Sequence, residues 1–438
     1  SLSSELSASI KWVPRAETAV VDAYLAPIMG VYLDLVELEL SDDSLKIMTS
    51  SGGLVSRAKY RPKDSLLSGP AGGLVGSSSV GLRAGFQRSI AFDMGGTSTD
   101  VSRFDGRLDY RFEQSIGGAR VNAPSLRIET VAAGGGSICW FDGTALRVGP
   151  SSAGASPGPA CYGAGGPLTI TDVNLLLGRL DAVRFGIPVF PEEADKSFRE
   201  LIDGIEAQSD SPISEREVLL GLLDIANERM ADAIRGISLR QGYAPSEYAL
   251  VAFGGAGGMH ACSIADILKM DTILFPSDAG LLSAYGLQQA RMEGFGERQV
   301  LRLLSECLSA LPGLIGELES EAVASLVDQG ESEDGLVRQS AQVEMRFIGQ
   351  EASLLIDLSF VASLEDAFLS AFEVQYGFVP EQAIEVVSVK VSVVTRAGDL
   401  GSESFKSDKR YQVGEDVFCD RDALQSGHVL EGPAVIQD

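Results

Sequence analysis

Two carboxylates, two glycines and three hydroxyls fall between Asp93 and Asp100, in the run IAFDMGGTSTDV. The apolar start reads as a buried strand, and Gly95-Gly96 as a turn placed directly after it. Without Cβ atoms, backbone N–H groups at those glycines can close on an anion. Thr97, Ser98 and Thr99 add hydroxyl donors to the same loop. Asp93, at the strand end, is placed to hold Mg²⁺ or to order a water beside a phosphate. Asp100 is expected on the partner strand of a hairpin. The chemistry this pattern suits is phosphate handling; the plainer alternative is a tight hairpin with an acidic start.

Two later segments repeat the strand-then-glycine logic. Residues 128–132 read as a strand entering Gly134-Gly135-Gly136-Ser137. That loop suits either a second anion-facing site or a turn required for close packing. Residues 248–253 read as a buried strand, Gly254-Gly255-Ala256-Gly257-Gly258 as its turn, and 261–268 as a helix. Dinucleotide binding competes there, but GGAGG departs from G-x-G-x-x-G and no acidic residue closes a second strand at the usual distance. His260, just inside the helix, is either a hydrogen-bonded structural histidine or a contact to nucleotide or substrate. Cys161 could act as a nucleophile only with His260 or His428 as its base, so it is read as a buried structural thiol.

The elements that must position these loops follow from periodicity. Apolar residues at helical spacing mark a helix over 15–39, which Pro27 is expected to kink or divide, after a frayed 1–11. Glycines 69, 72, 73 and 76 suit either a helix start approaching a ligand or two closely packed helices. Residues 101–113 read as a hairpin turning at Asp105-Gly106. The Gly, Pro, Ser and Ala-rich 149–179 is expected to be an ordered loop, with Asp172 as N-cap of the helix that follows. Helices are predicted over 191–204 and 214–242, the second opened by Ser214 with Glu217 three residues on. Arg229, Arg235 and Arg240 read as its solvated face. Beyond 297 the glycine loops stop. A helix over 301–329, a strand pair in VEMRFIGQEASLLIDLS, a helix in LEDAFLSAFEVQYG and a strand in VSVKVSVVTRAG describe a smaller α+β unit.

With 45% apolar and 22% charged residues, the 438-residue chain reads as globular. No apolar run is read as long enough to span a bilayer, and no signal-peptide pattern opens it. Five cysteines without a C-x-x-C pair argue for a reducing, cytoplasmic setting and against zinc. A net charge of −26 opposes nucleic acid and anionic membranes as partners.

DMGGTSTDVS resembles a phosphate loop of the hydantoinase A/5-oxoprolinase family, within the actin-like ATPase superfamily. TVAAGGGS and the block from SAGASPGPACY through TDVNLLLGRL resemble further segments of that family. FGGAGGMHACSIA, VPRAETAVVDAYLAP and YGFVPEQAIEVVSVKV are most similar to its 5-oxoprolinases. The resemblance implies an α/β, actin-like (ribonuclease H-like) ATPase domain with an appended smaller α+β domain. It places the end of a first actin-like half in 1–86, the second half in 87–296 and the α+β domain in 297–438.

It also implies ATP and Mg²⁺, with Asp93 and Asp100 catalytic and Asp93 holding the metal. Gly95, Gly96, Thr97, Ser98 and Thr99 would face the phosphates, together with Gly134, Gly135 and Gly136. Gly254, Gly255, Ala256, Gly257, Gly258 and His260 would face the adenosine. The implied activity opens a cyclic amide, 5-oxo-L-proline to L-glutamate, after phosphorylation of the lactam carbonyl. Alternatives are a hydantoin substrate, ketone carboxylation, or a nucleotide-binding subunit inactive without its partner. A hydantoinase B-type subunit or fused equivalent and a homo-oligomer are the expected partners. Relatives carry an earlier D-x-G-G-T-x-T-D loop with no second copy here, so this stretch alone is expected to be inactive.

Overall fold

The computed structural model describes residues 2–7, 11–40, 45–183, 185–208, 213–358 and 363–396, and the backbone of four short strands beyond 408.

The central sheet has five strands. β1 (Arg88–Met94) and β2 (Thr99–Asp105) form an antiparallel hairpin, and β3 (Ile128–Val131) pairs antiparallel with β2. On the other side of β1, β4 (Ala249–Phe253) and β5 (Ile273–Leu274) run parallel to it, giving the order β5-β4-β1-β2-β3. β4 is buried along its whole length, as its unbroken apolar run requires of a strand covered on both faces.

Strand alternation divides the core. Ile90, Phe92, Met94, Leu250 and Ala252 face one side. There they meet α5 (Glu215–Ile237) and α6 (Gly257–Leu268). Ala91, Val251 and Phe253 face the other, against Ala71, Leu74 and Val75 of α2 (Ser68–Arg83). Residues 68–83, which the resemblance places at the end of a first half, pack on the central sheet. Their glycines serve helix packing. α2 crosses α7 (Leu282–Gln289) so closely that a Cβ on Gly286 would lie 1.8 Å from the Gly72 carbonyl oxygen. Gly286→Ala is expected to cost about 1–3 kcal/mol or more by overpacking. A denaturant melt would read this as a lower midpoint with unchanged slope.

α1 (Trp12–Glu39) is one helix, undivided at Pro27, and a short helix, Ser3–Leu6, stands where fraying was expected. By length and composition alone, α1 is long and apolar enough to cross a membrane, which corrects the reading that no stretch was. One face of it docks on the protein. Glu17 pairs with Arg120 at 3.1 Å, and buried Asp22 accepts the Lys63 backbone N–H at 3.2 Å. Two other local expectations shift. The Asp105-Gly106 turn forms, but Tyr110–Arg111 pairs with Ser125–Leu126 rather than extending the hairpin. Helix α3 (Ile170–Leu176) is capped by Thr169, with Asp172 in the third helical position of a capping box. α4 (Pro191–Glu206) follows it, and Ser214 accepts from the Glu217 N–H at the start of α5 as its spacing predicts.

The second sheet, ordered β6-β9-β7-β8, is antiparallel: β6 (Glu293–Leu303), β7 (Leu336–Phe347), β8 (Leu354–Asp357) and β9 (Ile384–Thr395). Its inner residues Val343, Phe347, Val389 and Val391 pack with α8 (Leu311–Val327) and α9 (Leu364–Tyr376) in a core of their own. The start of the predicted 301–329 helix belongs instead to β6.

Candidate functional site

The order of the central sheet says where a ligand would sit. From β1 the chain turns to β2 on one side, and from β4 it crosses through α6 to β5 on the other. The gap between the carboxyl ends of β1 and β4 is therefore the topological switch point, where open α/β sheets bind ligands. The loops after both strands are the two glycine turns singled out by sequence.

At the tip of the β1–β2 hairpin, the Gly95 N–H donates to the Ser98 carbonyl at 3.0 Å, leaving Gly96 and Thr97 exposed. Asp93 and Asp100 are direct cross-strand neighbours. Like charges so placed repel. Burial, with the Asp100 charge adding to it, pushes the Asp93 carboxyl up to about 6. Burial also raises Asp100, countered by the Thr130 hydroxyl, which donates to its Oδ1 at 2.5 Å. Two opposed carboxylates at the end of a strand have the donor chemistry of a Mg²⁺ site, which uses one or two carboxylates plus phosphate oxygens and water. Among the described residues no cluster of three or more His, Cys, Asp and Glu ligands occurs.

Not every expected phosphate contact faces outward. Thr99 is fully buried, and its hydroxyl donates to the Ala133 carbonyl at 2.6 Å. Of the three hydroxyls, only Thr97 and Ser98 remain at the tip. Gly134–Gly136 do not present free N–H groups. Gly135 and Gly136 donate to the carbonyls of Gly95 and Gly96 at 3.0 and 2.6 Å, and Gly134 to the Ser137 hydroxyl at 2.9 Å. A Cβ on Gly134 would lie 2.8 Å from backbone atoms of Gly96, Thr97 and Ser98. This loop is the bed on which the hairpin tip rests. Thr171, at the start of α3, holds it from behind, donating its N–H and hydroxyl to the Gly135 carbonyl at 2.8 and 2.9 Å.

The β4–α6 turn closes on Asp93 from the neighbouring strand. Gly254 has φ +78°, and a Cβ there would lie 2.4 Å from Asp93 Oδ1. The Ala256 N–H donates to the Met94 carbonyl at 2.9 Å, locking the turn to the end of β1. α6 then begins at Gly257, so its first-turn N–H groups emerge beside the two carboxylates, where a helix start favours an anion. Gly255 and Gly258 are exposed there.

His260 stands apart from this surface. It is fully buried, with Nδ1 donating to Asn227 Oδ1 at 2.7 Å and Nε2 accepting from Asn174 Nδ2 at 3.1 Å, the tautomer its partners require. Burial, and then Arg179, hold its pKa down at about 4, so the ring is neutral near pH 7. It ties α6 to α5 and α3. His260→Leu is expected to cost about 1–3 kcal/mol by stranding two buried amides. The cost should be smaller at pH 6 than at pH 8, because the unfolded imidazole, ordinarily near 6.5, takes up a proton at pH 6 that the buried ring does not; urea unfolding at the two pH values reads the difference.

Cys161 is also fully buried, and burial with nearby Asp172 raises its thiol far above the reactive range. Asp172 accepts from the N–H groups of Ala160, Cys161 and Thr169 at 3.1, 2.7 and 2.7 Å, pinning the PACY turn to α3. Arg229 is not a solvated charge: its guanidinium donates to the Val148 carbonyl. Thr130 and Thr171 were not singled out by sequence. Both act across strand or loop register, which local spacing does not encode.

The fold is mixed α/β, and its glycine hairpin, paired carboxylates and helix start converge at the sheet's switch point. The chain belongs to the hydantoinase/oxoprolinase family (Hydantoinase_A), which matches residues 15–294. It is 37% identical to the 5-oxoprolinase of Saccharomyces cerevisiae, a match covering all of this chain and 37% of that protein. It is 29% identical to the caprolactamase subunit alpha of Pseudomonas jessenii, over 99% of this chain and 67% of that one. The crystal structure of the ATP-dependent caprolactamase from Pseudomonas jessenii superposes with a TM-score of 0.85 at 27% identity, covering 99% of this chain and 68% of that one. The nucleotide-free structure of an acetone carboxylase shares the fold, with a TM-score of 0.70 at 20% identity. The chain thus spans well under half the length of the 5-oxoprolinases it matches.

Proposed function

We propose that the protein uses ATP to open a cyclic amide, and that the substrate is 5-oxo-L-proline and the product L-glutamate. The observation that carries this reading is the convergence of the Asp93–Asp100 hairpin tip and the start of α6 at the carboxyl ends of adjacent parallel strands. The order β5-β4-β1-β2-β3 supports treating this sheet as a ribonuclease H-like half of an actin-like ATPase, with 297–438 appended as an α+β domain. The identity to a 5-oxoprolinase over the whole chain supports the substrate.

A lactam resists water because its nitrogen lone pair is delocalised into the carbonyl. Moving the terminal phosphoryl of ATP onto the carbonyl oxygen removes that protection. Water then adds at the carbon, the C–N bond opens with a proton to nitrogen, and a second water releases phosphate from the resulting acyl phosphate. The chain's part is positioning and charge placement. Gly96, Thr97 and Ser98 bind phosphate oxygens, and Gly255 to Gly258 lie against the adenosine. Asp93, its carboxyl raised to about 6 by burial and the Asp100 charge, takes a proton from the attacking water or holds Mg²⁺ with Asp100. Bound Mg²⁺ would neutralise phosphate charge. Gly134–Gly136 shape the tip from behind, and His260 holds the helices.

A B-type partner subunit or its fused equivalent completes the enzyme in this reading. The caprolactamase likeness favours a second reading with another cyclic amide as substrate. The test is ATP loss coupled to glutamate release by the full-length protein with its B-type partner. Glutamate from 5-oxo-L-proline supports the first reading. ATP loss only with caprolactam, a hydantoin or a ketone overturns the substrate, and no turnover with any of them leaves a nucleotide-binding subunit.

A further inference from the structure

A cavity of about 1270 Å³ lies away from the hairpin tip, between the central sheet's outer loops and the second sheet. Eight cationic and four carboxylate side chains line it, in a chain whose net charge is −26. Along the wall the cations outnumber the carboxylates, and a cation there that is not neutralised within the protein attracts an anion from solution.

Most of the cations are already paired within the protein. Buried Lys390 meets Glu344 at 2.8 Å and lies 4.4 Å over the Phe112 ring. Arg346 pairs with Glu385 at 2.7 Å, and Arg111 with Glu129 at 3.5 Å. Arg127 is different. It is half-buried, lines both this cavity and an adjoining one of about 330 Å³, and is in none of the ion pairs among the described residues. Burial, with the Arg111 charge adding to it, lowers its pKa, and the nearby Asp109 carboxylate offsets this only in part. A guanidinium in that position is stabilised by an anion brought from solution, and its planar fork suits a carboxylate. Arg240, in the short 3-10 turn Leu239–Gln241 that follows α5, adds a second cation outside those ion pairs to the wall.

We propose that this cavity is a binding site for a small organic anion bearing one or two carboxylates, held by Arg127 and Arg240. The mixed lining favours that class over a polyphosphate. Glu113, Glu297, Glu344 and Glu351 would repel a densely charged ligand, while Phe112, Leu354, Ile356 and Val374 offer apolar wall to a carbon chain. The site is separate from the nucleotide loops and does not depend on the reaction assigned to them. The class includes the amino dicarboxylate that reaction would release.

Calorimetric titration of the full-length protein at fixed ionic strength tests this, with glutarate, L-glutamate and inorganic phosphate as probes. Saturable binding of glutarate or L-glutamate is expected, weakened at least about tenfold in Arg127→Met and measurably in Arg240→Ala, and unchanged in Asp93→Asn. Arg240 is exposed at the rim, so Arg240→Ala keeps the test intact if Arg127→Met does not fold. Three results would each overturn the proposal: no saturable binding of either carboxylate, binding of phosphate alone, or carboxylate binding lost in Asp93→Asn but kept in both arginine variants.

Discussion

Asp93→Ala in the full-length protein is expected to lower ATP turnover by about 10²–10⁴-fold, the range for removing a group that moves or positions a proton. The coupled assay of ATP loss and ring opening measures it. The same site should show the opposite effect on stability. Burial and the facing Asp100 hold the Asp93 carboxyl at about 6 in the folded protein, above its ordinary value of 3.8. The native state therefore binds that proton more tightly than the unfolded chain, and stability is lost as pH rises through this interval. Without divalent cations, Asp93→Asn should melt higher than wild type above pH 6, and the gap should close below about pH 4. A variant that loses both activity and stability at pH 8 would mean that Asp93 is a structural residue. Gain of stability with loss of activity is the signature of a strained functional site.

The parts of the site that were legible in the sequence are those built from neighbours in the chain. Asp93, Gly95-Gly96 and Asp100 form one hairpin, so strand, turn and return could be read from a single run. The same holds for Ser214 and Glu217 at the start of α5, and for the β7–β8 pair, whose alternation is local. What was not legible depends on contacts between distant segments. Gly134–Gly136 had two readings because a glycine run says only that a Cβ is unwelcome. Whether it would meet a ligand or the backbone of Gly96–Ser98 is a tertiary fact. Thr99 was grouped with Thr97 and Ser98 because all three are hydroxyls in one loop, yet strand alternation carries its side chain into the core beside Met230. The glycines of α2 were equally open until Gly286 was found against them. His260 was placed near the ligand by its position in the helix, but helical rotation turns it inward to Asn174 and Asn227.

Glu293 belongs to the same class of hidden residue, and it carries the largest stability effect expected here. It opens β6, where the chain passes from the central sheet to the second, and is only 4% exposed. Its Oε2 accepts from Ser51 at 2.6 Å and its Oε1 from the Tyr110 hydroxyl at 2.9 Å, while Gln339 of β7 donates to that hydroxyl at 2.8 Å. Three distant segments therefore meet on one carboxyl group. Burial pushes it up to about 7, despite both hydroxyl donors and Arg291 favouring the charged form. Its folded pKa thus lies above the ordinary glutamate value of 4.5, so its contribution is most favourable below that value and is lost as pH rises toward 7. The loss is at most ~1.4 kcal/mol per pH unit, or roughly 3 kcal/mol over the interval. Glu293→Gln can keep both contacts, its carbonyl accepting from Tyr110 and its amide donating to Ser51. It should be more stable than wild type at pH 8 by up to that amount and nearly equal at pH 4.5. Glu293→Leu removes both acceptors, so at pH 4.5 it should be destabilised by about 1–3 kcal/mol per hydroxyl left unpaired; at pH 8 its deficit should shrink by up to the same roughly 3 kcal/mol, because it too lacks the ionising carboxyl. Urea unfolding of the three proteins at pH 4.5 and pH 8 separates the two effects. If Glu293→Gln shows the same pH slope as wild type, the carboxyl is ionised throughout and the junction is held by charge.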